Sequence, residues 1–94
     1  MLFRSFVYES EAEIALKEIE GIDRKRADEM IRAIEWLLTR SPEEGTLIDG
    51  FLPKTFIYKT DTKHEGIETI TLIYQLSGES IKILNIRYLP RNKF

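Results

Sequence analysis

The side chains best equipped for chemistry lie in the second half of the chain: Lys54, Lys59, Lys63, His64, Arg87, Tyr88 and Arg91. Lysine and arginine bind anions and neutralise charge as it develops on them. Histidine moves protons near neutral pH, and tyrosine donates a proton or presents a flat ring for stacking. Each residue also has an ordinary role. Lys54 and Lys59 are five residues apart, so on a regular strand they project to opposite faces and suit solubilising charges on an edge strand. His64, the single histidine, sits among Asp61, Lys63 and Glu65 in a polar stretch that suits a solvated loop. Arg87 follows an apolar run, and its plain alternative is a surface ion pair with an acidic helix residue, worth ~0–1 kcal/mol. Tyr88 at the end of the same run equally suits the rim of a core with its hydroxyl in water.

Other chemistries are missing their parts. With no cysteine and one histidine, the usual zinc constellations and thiol chemistry are out. No P-loop, GxGxxG, HExxH or serine-hydrolase elbow occurs, so no metal, nucleotide or organic cofactor is expected. The 94 residues fit a single domain spanning 1–94, and 43% hydrophobic with 32% charged residues suits a folded globule with a solvated face. No stretch reaches the ~20 apolar residues of a bilayer-spanning helix, and no apolar signal core opens the chain, so no membrane partner and a cytoplasmic location are expected. The net charge of -2 conceals an asymmetry: residues 1–51 carry 7 basic and 12 acidic side chains, residues 52–94 carry 7 and 4. The chain as a whole lacks the basic surplus of a dedicated nucleic-acid binder.

The elements that must position these residues follow from periodicity. Leu2 to Tyr8, aromatic and aliphatic, reads as a short strand. Ser10 with Glu13 forms a capping-box pattern, followed by Ala12, Ala15, Leu16 and Ile19 at helical spacing and by Gly21 as a helix-ending residue. Asp23 is placed to cap a second helix whose apolar stripe is Ala27, Met30, Ile31, Ile34, Leu37 and Leu38, stopped at Ser41-Pro42. The short connection predicts an antiparallel helical hairpin. From Pro42 to Pro53 the chain is expected to turn through Gly45 and Gly50. Three strands then follow, over Lys54 to Thr60, Ile67 to Leu76 and Ser80 to Tyr88, joined by the Asp61 to Gly66 loop and the Ser77-Gly78 turn. The expected fold is a two-layer α+β domain of order β-α-α-β-β-β, with the helical hairpin packed on a mainly antiparallel sheet. One sheet face is then left partly open, with Thr69, Thr71 and Gln75 projecting from the middle strand.

In order and local text the chain resembles the RelE/ParE superfamily of bacterial type II toxins over nearly its full length. Ser10-Glu11-Ala12-Glu13 with Leu16 and Ile19 is similar to the family's first helix, "S-x-A-E-x-x-L-x-x-I", and Pro42-Glu43-Glu44-Gly45 to its "P-x-x-G" element. Thr71-Leu72-Ile73-Tyr74-Gln75-Leu76 resembles the "R-I-x-Y-x-I" strand. Ile81 to Tyr88, with Arg91 after it, resembles the closing "I-x-I-L-x-I-x-H-x-R". Thr71 stands where arginine is frequent and Tyr88 where histidine is. The resemblance implies a toxin held inactive by a cognate antitoxin, acting on the ribosome and mRNA as a metal-independent endoribonuclease. Its alternatives are a non-enzymatic inhibitor of DNA gyrase, or a degenerate, non-toxic partner of the antitoxin. Cleavage of RNA through its own 2'-hydroxyl needs a base, a proton donor and cations around the phosphate. The resemblance implies that Lys54, Lys59, Lys63, His64, Arg87, Tyr88 and Arg91 gather near one end and face of the sheet to supply them.

Two further features sit on the second helix. Arg24, Lys25, Arg26 and Arg32 are diluted by Asp28, Glu29 and Glu35 and read as a mixed solvated face with local ion pairs. Trp36 reads first as an anchor packing the hairpin on the sheet, and second as an antitoxin contact.

Overall fold

The computed structural model describes residues 5–59 and 69–89. It forms β1 (Ser5–Tyr8), α1 (Ser10–Ile22), α2 (Arg24–Arg40), β2 (Thr46–Ile48), β3 (Lys54–Lys59), β4 (Thr69–Ser77) and β5 (Ser80–Leu89). The domain is α+β, with two helices packed on one five-stranded mixed sheet of order β1-β5-β4-β3-β2. Neighbours pair antiparallel except β1 and β5, which run parallel. His64 and Arg91, together with Lys63 and the Asp61 to Gly66 loop, lie outside the described residues. No helix among the described residues is long and apolar enough to cross a membrane.

The helices follow their sequence periods. Ala12, Leu16 and Ile19 of α1 and Ala27, Met30, Ile34 and Leu38 of α2 are buried in one core with Phe56, Leu72, Tyr74, Ile81, Ile83 and Ile86. Asp23 alone separates the helices. Its N–H donates to the Ile19 carbonyl at 2.8 Å, and its side chain accepts from the Arg26 N–H at 3.1 Å. One residue therefore closes α1 and caps α2. Gly21 is not the terminator that its type suggested; it lies inside α1. The expected Ser10 cap is also absent. Glu9 occupies the N-cap without a side-chain hydrogen bond, because its N–H still bonds Ile83 at 3.0 Å while its carbonyl accepts from Glu13 at 2.9 Å. Strand passes into helix with no residue to spare, so Ser10 is already inside the first turn.

The sheet adds one strand to the expected order. Thr46–Ile48, in the stretch read as a turn, pairs with β3. Three residues are too few to show an alternation, so the strand exists by virtue of its partner. Between β4 and β5 the loop is Gly78-Glu79, and Gly78 has φ +60, as a two-residue hairpin turn with glycine in its first central position requires. Further along, Tyr74 pairs with Ile83 but Ile73 pairs with Asn85. Leu84 is thus an extra residue, a β-bulge in β5.

Tyr74 ties the sheet to the corner after α2. Its side chain is fully buried and stacks on Phe56, the ring centroids 5.3 Å apart. Its hydroxyl donates to the Pro42 carbonyl at 2.8 Å and accepts from the Gly45 N–H at 3.0 Å. A Cβ at residue 45 would stand 2.7 Å from the Ile57 carbonyl oxygen, so the Pro42 to Gly45 corner demands glycine for lack of space. Trp36, in contrast, does not anchor the hairpin. It is 61% exposed with the Arg40 guanidinium 4.5 Å above its ring, because the Ala27, Met30, Ile34 and Leu38 stripe already fills the face turned to the core.

Candidate functional site

Strand register sorts the candidate cations. Lys59, Thr71 and Arg87 are direct partners across β3, β4 and β5, so their side chains leave the same face. That face is the one turned away from the helices, since Phe56, Leu72, Tyr74 and Ile86, at alternate positions, form the core. Strands are about 4.8 Å apart, so the Lys59 and Arg87 backbones are about 10 Å apart. Two long side chains can converge over the Thr71 hydroxyl across that gap. Both cations are exposed, and among the described residues no carboxylate pairs with either. The surface ion pair weighed for Arg87 is thus not formed with any described helix acid, as its register on the face away from the helices explains.

The other two described candidates lie elsewhere. Lys54 is the partner of Leu76 and is on the helix side, at the far end of β3 from Lys59, about 17 Å along the strand. Its Nζ is 3.9 Å from the Glu43 carboxylate, both side chains well exposed, a contact worth ~0–1 kcal/mol. Tyr88 is the partner of Ile70 and packs, half-buried, against the core. It lines a cleft of about 180 Å³ between α1 and the end of β5, with Glu18, Ile19, Ile22 and Ile86, and Arg87 also borders this cleft. The expected gathering of Lys54, Lys59, Arg87 and Tyr88 on one face is therefore corrected to Lys59 and Arg87. Alternation explains both departures: Lys54 is an odd number of residues from Lys59 on a strand without a bulge, and Tyr88 is adjacent to Arg87.

The open face has a residue that the sequence did not single out. Lys82 is the partner of Gln75, which shares a face with Thr71 four residues earlier. Lys82 and Arg87 are an odd number of residues apart, and simple counting separates them; the Leu84 bulge returns them to one side. Asn85 lies between, exposed, its Oδ1 accepting from the Ile86 N–H at 2.8 Å. The five strands contain four basic residues and no acidic one. Most of the described acids are in the helices, α1 alone having Glu11, Glu13, Glu18 and Glu20, and the rest are in connections, such as Glu79 in the β4–β5 turn. The open face thus presents Lys59, Lys82 and Arg87 without a carboxylate on its strands, an arrangement that attracts anions.

The perturbed ionisations belong to the packed side. Burial, and then the Glu35 carboxylate that accepts the Tyr8 hydroxyl at 3.0 Å, push the Tyr8 phenol well above its ordinary range. Burial likewise raises Tyr74. Both are therefore structural donors. On α2, Arg26 meets Glu29 at 2.8 Å and Arg32 meets Asp28 at 3.6 Å, the expected solvated face with local pairs. No protein-family model, curated protein or solved structure matches the chain.

Proposed function

We propose that this chain is the toxin of a bacterial type II toxin-antitoxin pair of the RelE/ParE type, acting on ribosome-bound mRNA as a metal-independent endoribonuclease. The observation that carries the proposal is the Lys59, Thr71, Arg87 row on a sheet face whose strands, among the described residues, carry no carboxylate. The helical hairpin on a mainly antiparallel sheet, which the resemblance implies, supports it as well.

In the proposed reaction the 2'-hydroxyl oxygen bonds to the adjacent phosphorus and the 5'-oxygen leaves, giving a 2',3'-cyclic phosphate and a 5'-hydroxyl. Arg87 neutralises the phosphoryl oxygens as their charge grows. The Lys59 ammonium donates the proton that the leaving oxygen takes up. The described part of the row has neither carboxylate nor imidazole, so the 2'-hydroxyl proton passes to solvent water as the oxygen attacks, Lys59 regains its proton from the same solvent, and the ribosome holds the mRNA in line. A cognate antitoxin with an acidic extended segment would cover this face by charge complementarity.

A second reading is favoured by the placement of Lys54 and Tyr88 off the face: a gyrase inhibitor that blocks a surface and needs no acid-base pair. The chain expressed with and without its antitoxin separates the two. Ribosome-dependent cuts at mRNA ends support the endoribonuclease, and loss of gyrase supercoiling without such cuts supports the inhibitor. Unimpaired growth with neither effect would refute both and leave the degenerate, non-toxic reading.

A further inference from the structure

We infer that Lys82 and Asn85 extend the site into a track along β5 that holds single-stranded RNA by its sugar-phosphate backbone, indifferent to base identity. RNA as the polyanion rests on the toxin reading; the track itself rests on the register and the bulge. Lys82 and Arg87 face Gln75 and Thr71, four residues apart on β4 and hence about 13 Å apart. Side chains standing roughly upright from strand positions that far apart meet different phosphates of one strand. Between them Asn85 has its Oδ1 occupied by the Ile86 N–H, which turns its amide N–H groups into donors for a phosphate or a 2'-hydroxyl.

Indifference to the base follows from where the aromatic rings are. Phe6, Tyr8, Phe56, Tyr58, Tyr74 and Tyr88 all belong to the core or pack on it, and the exposed rings Trp36 and Phe51 lie on α2 and in the β2–β3 connection, which leaves the strands of the open face, among the described residues, without a ring for a base to stack on. Sequence-tolerant stacking and base readout both need such platforms or base-edge contacts. This face instead offers Lys82, Asn85, Thr71, Lys59 and Arg87, groups suited to phosphate and sugar.

The test uses the purified chain without ribosomes and fluorescence anisotropy with uridine, adenosine and cytidine oligomers of roughly 12 nucleotides. The three should bind within about threefold of one another. Lys82→Ala should weaken each about fivefold and lower the salt slope by about 0.7, one phosphate contact on a single strand. Lys82→Arg should restore binding, and Lys82→Ala should leave a dinucleotide unaffected. Lys25→Ala on α2 should change nothing, and thermal melting should confirm that each variant is folded. Unchanged affinity in a folded Lys82→Ala, a tenfold preference for one base, or polyglutamate bound as tightly as RNA would each overturn the track. Because no ribosome is present, intact RNA binding with no ribosomal cleavage removes the endoribonuclease reading alone. Ribosomal cleavage with no Lys82 effect on binding removes the track alone.

Discussion

Two strands of this sheet each have a pair of cations five residues apart, and the pairs end in opposite arrangements. On β3, which pairs regularly, Lys54 and Lys59 leave opposite faces; on β5 the extra residue Leu84 brings Lys82 and Arg87 to the same face. Identical spacing therefore divides one pair between the two faces of the sheet and aligns the other on a single face. The lesson is that one inserted residue, by reversing the parity of a strand, decides which side chains can act together.

Deleting Leu84 breaks the comparison most severely. Without the bulge, either Ile81 and Ile83 leave the core while Lys82 enters it, or the other end of β5 inverts. The expected loss is on the order of 3 kcal/mol or more, read by urea unfolding. An unchanged midpoint would mean that the bulge does not set the parity. Next in size is Arg87→Ala. It removes the cation proposed to face the phosphoryl group and, on that proposal, should slow ribosomal mRNA cleavage about 100-fold with the fold intact. Tyr74→Phe tests the packed face against the open one. It strands the Pro42 carbonyl and Gly45 N–H, costs about 1–3 kcal/mol in denaturant unfolding, and should leave Lys82-dependent RNA binding unaltered. The smallest effect is on alkaline stability. Tyr8 and Tyr74 have folded pKa values raised above the ordinary 10.0, so above that pH the unfolded chain sheds protons that the folded chain keeps. Stability is fully present below pH 10 and falls as pH rises beyond it. Tyr8→Phe should flatten that fall in melting curves taken across this range.

Legibility in the sequence followed the range of the interaction. The two apolar stripes, the Asp23 cap and the stop at Ser41-Pro42 are local, and the structure has them where the pattern puts them. The alternation of Ile70, Leu72, Tyr74 and Leu76 likewise set the faces of β4. What escaped depended on partners. The three residues of β2 form a strand only against β3, and Leu84 is a bulge only relative to Tyr74 and Ile73. Ser10 lost its cap to a strand ladder that continues through Glu9. Trp36 is exposed because smaller and aliphatic neighbours fill the core. At the site, Lys59 and Arg87 were chosen by residue type, and their alignment required the register. Lys82 stands at odd spacing from Arg87, which counting alone puts on the other face, and no local signal in Ile81 to Ile86 marks a bulge.

The central claim is that cations act on RNA from the open face alone, and the lysines at the two ends of β3 test it most directly. In cleavage of mRNA on purified ribosomes, Lys59→Ala should reduce the rate by at least about 100-fold. Lys54→Ala, whose side chain is on the helix side beside Glu43, should stay within about twofold of the unaltered chain. Equal losses from both, or a loss from Lys54→Ala only, would contradict the assignment of the site to this face.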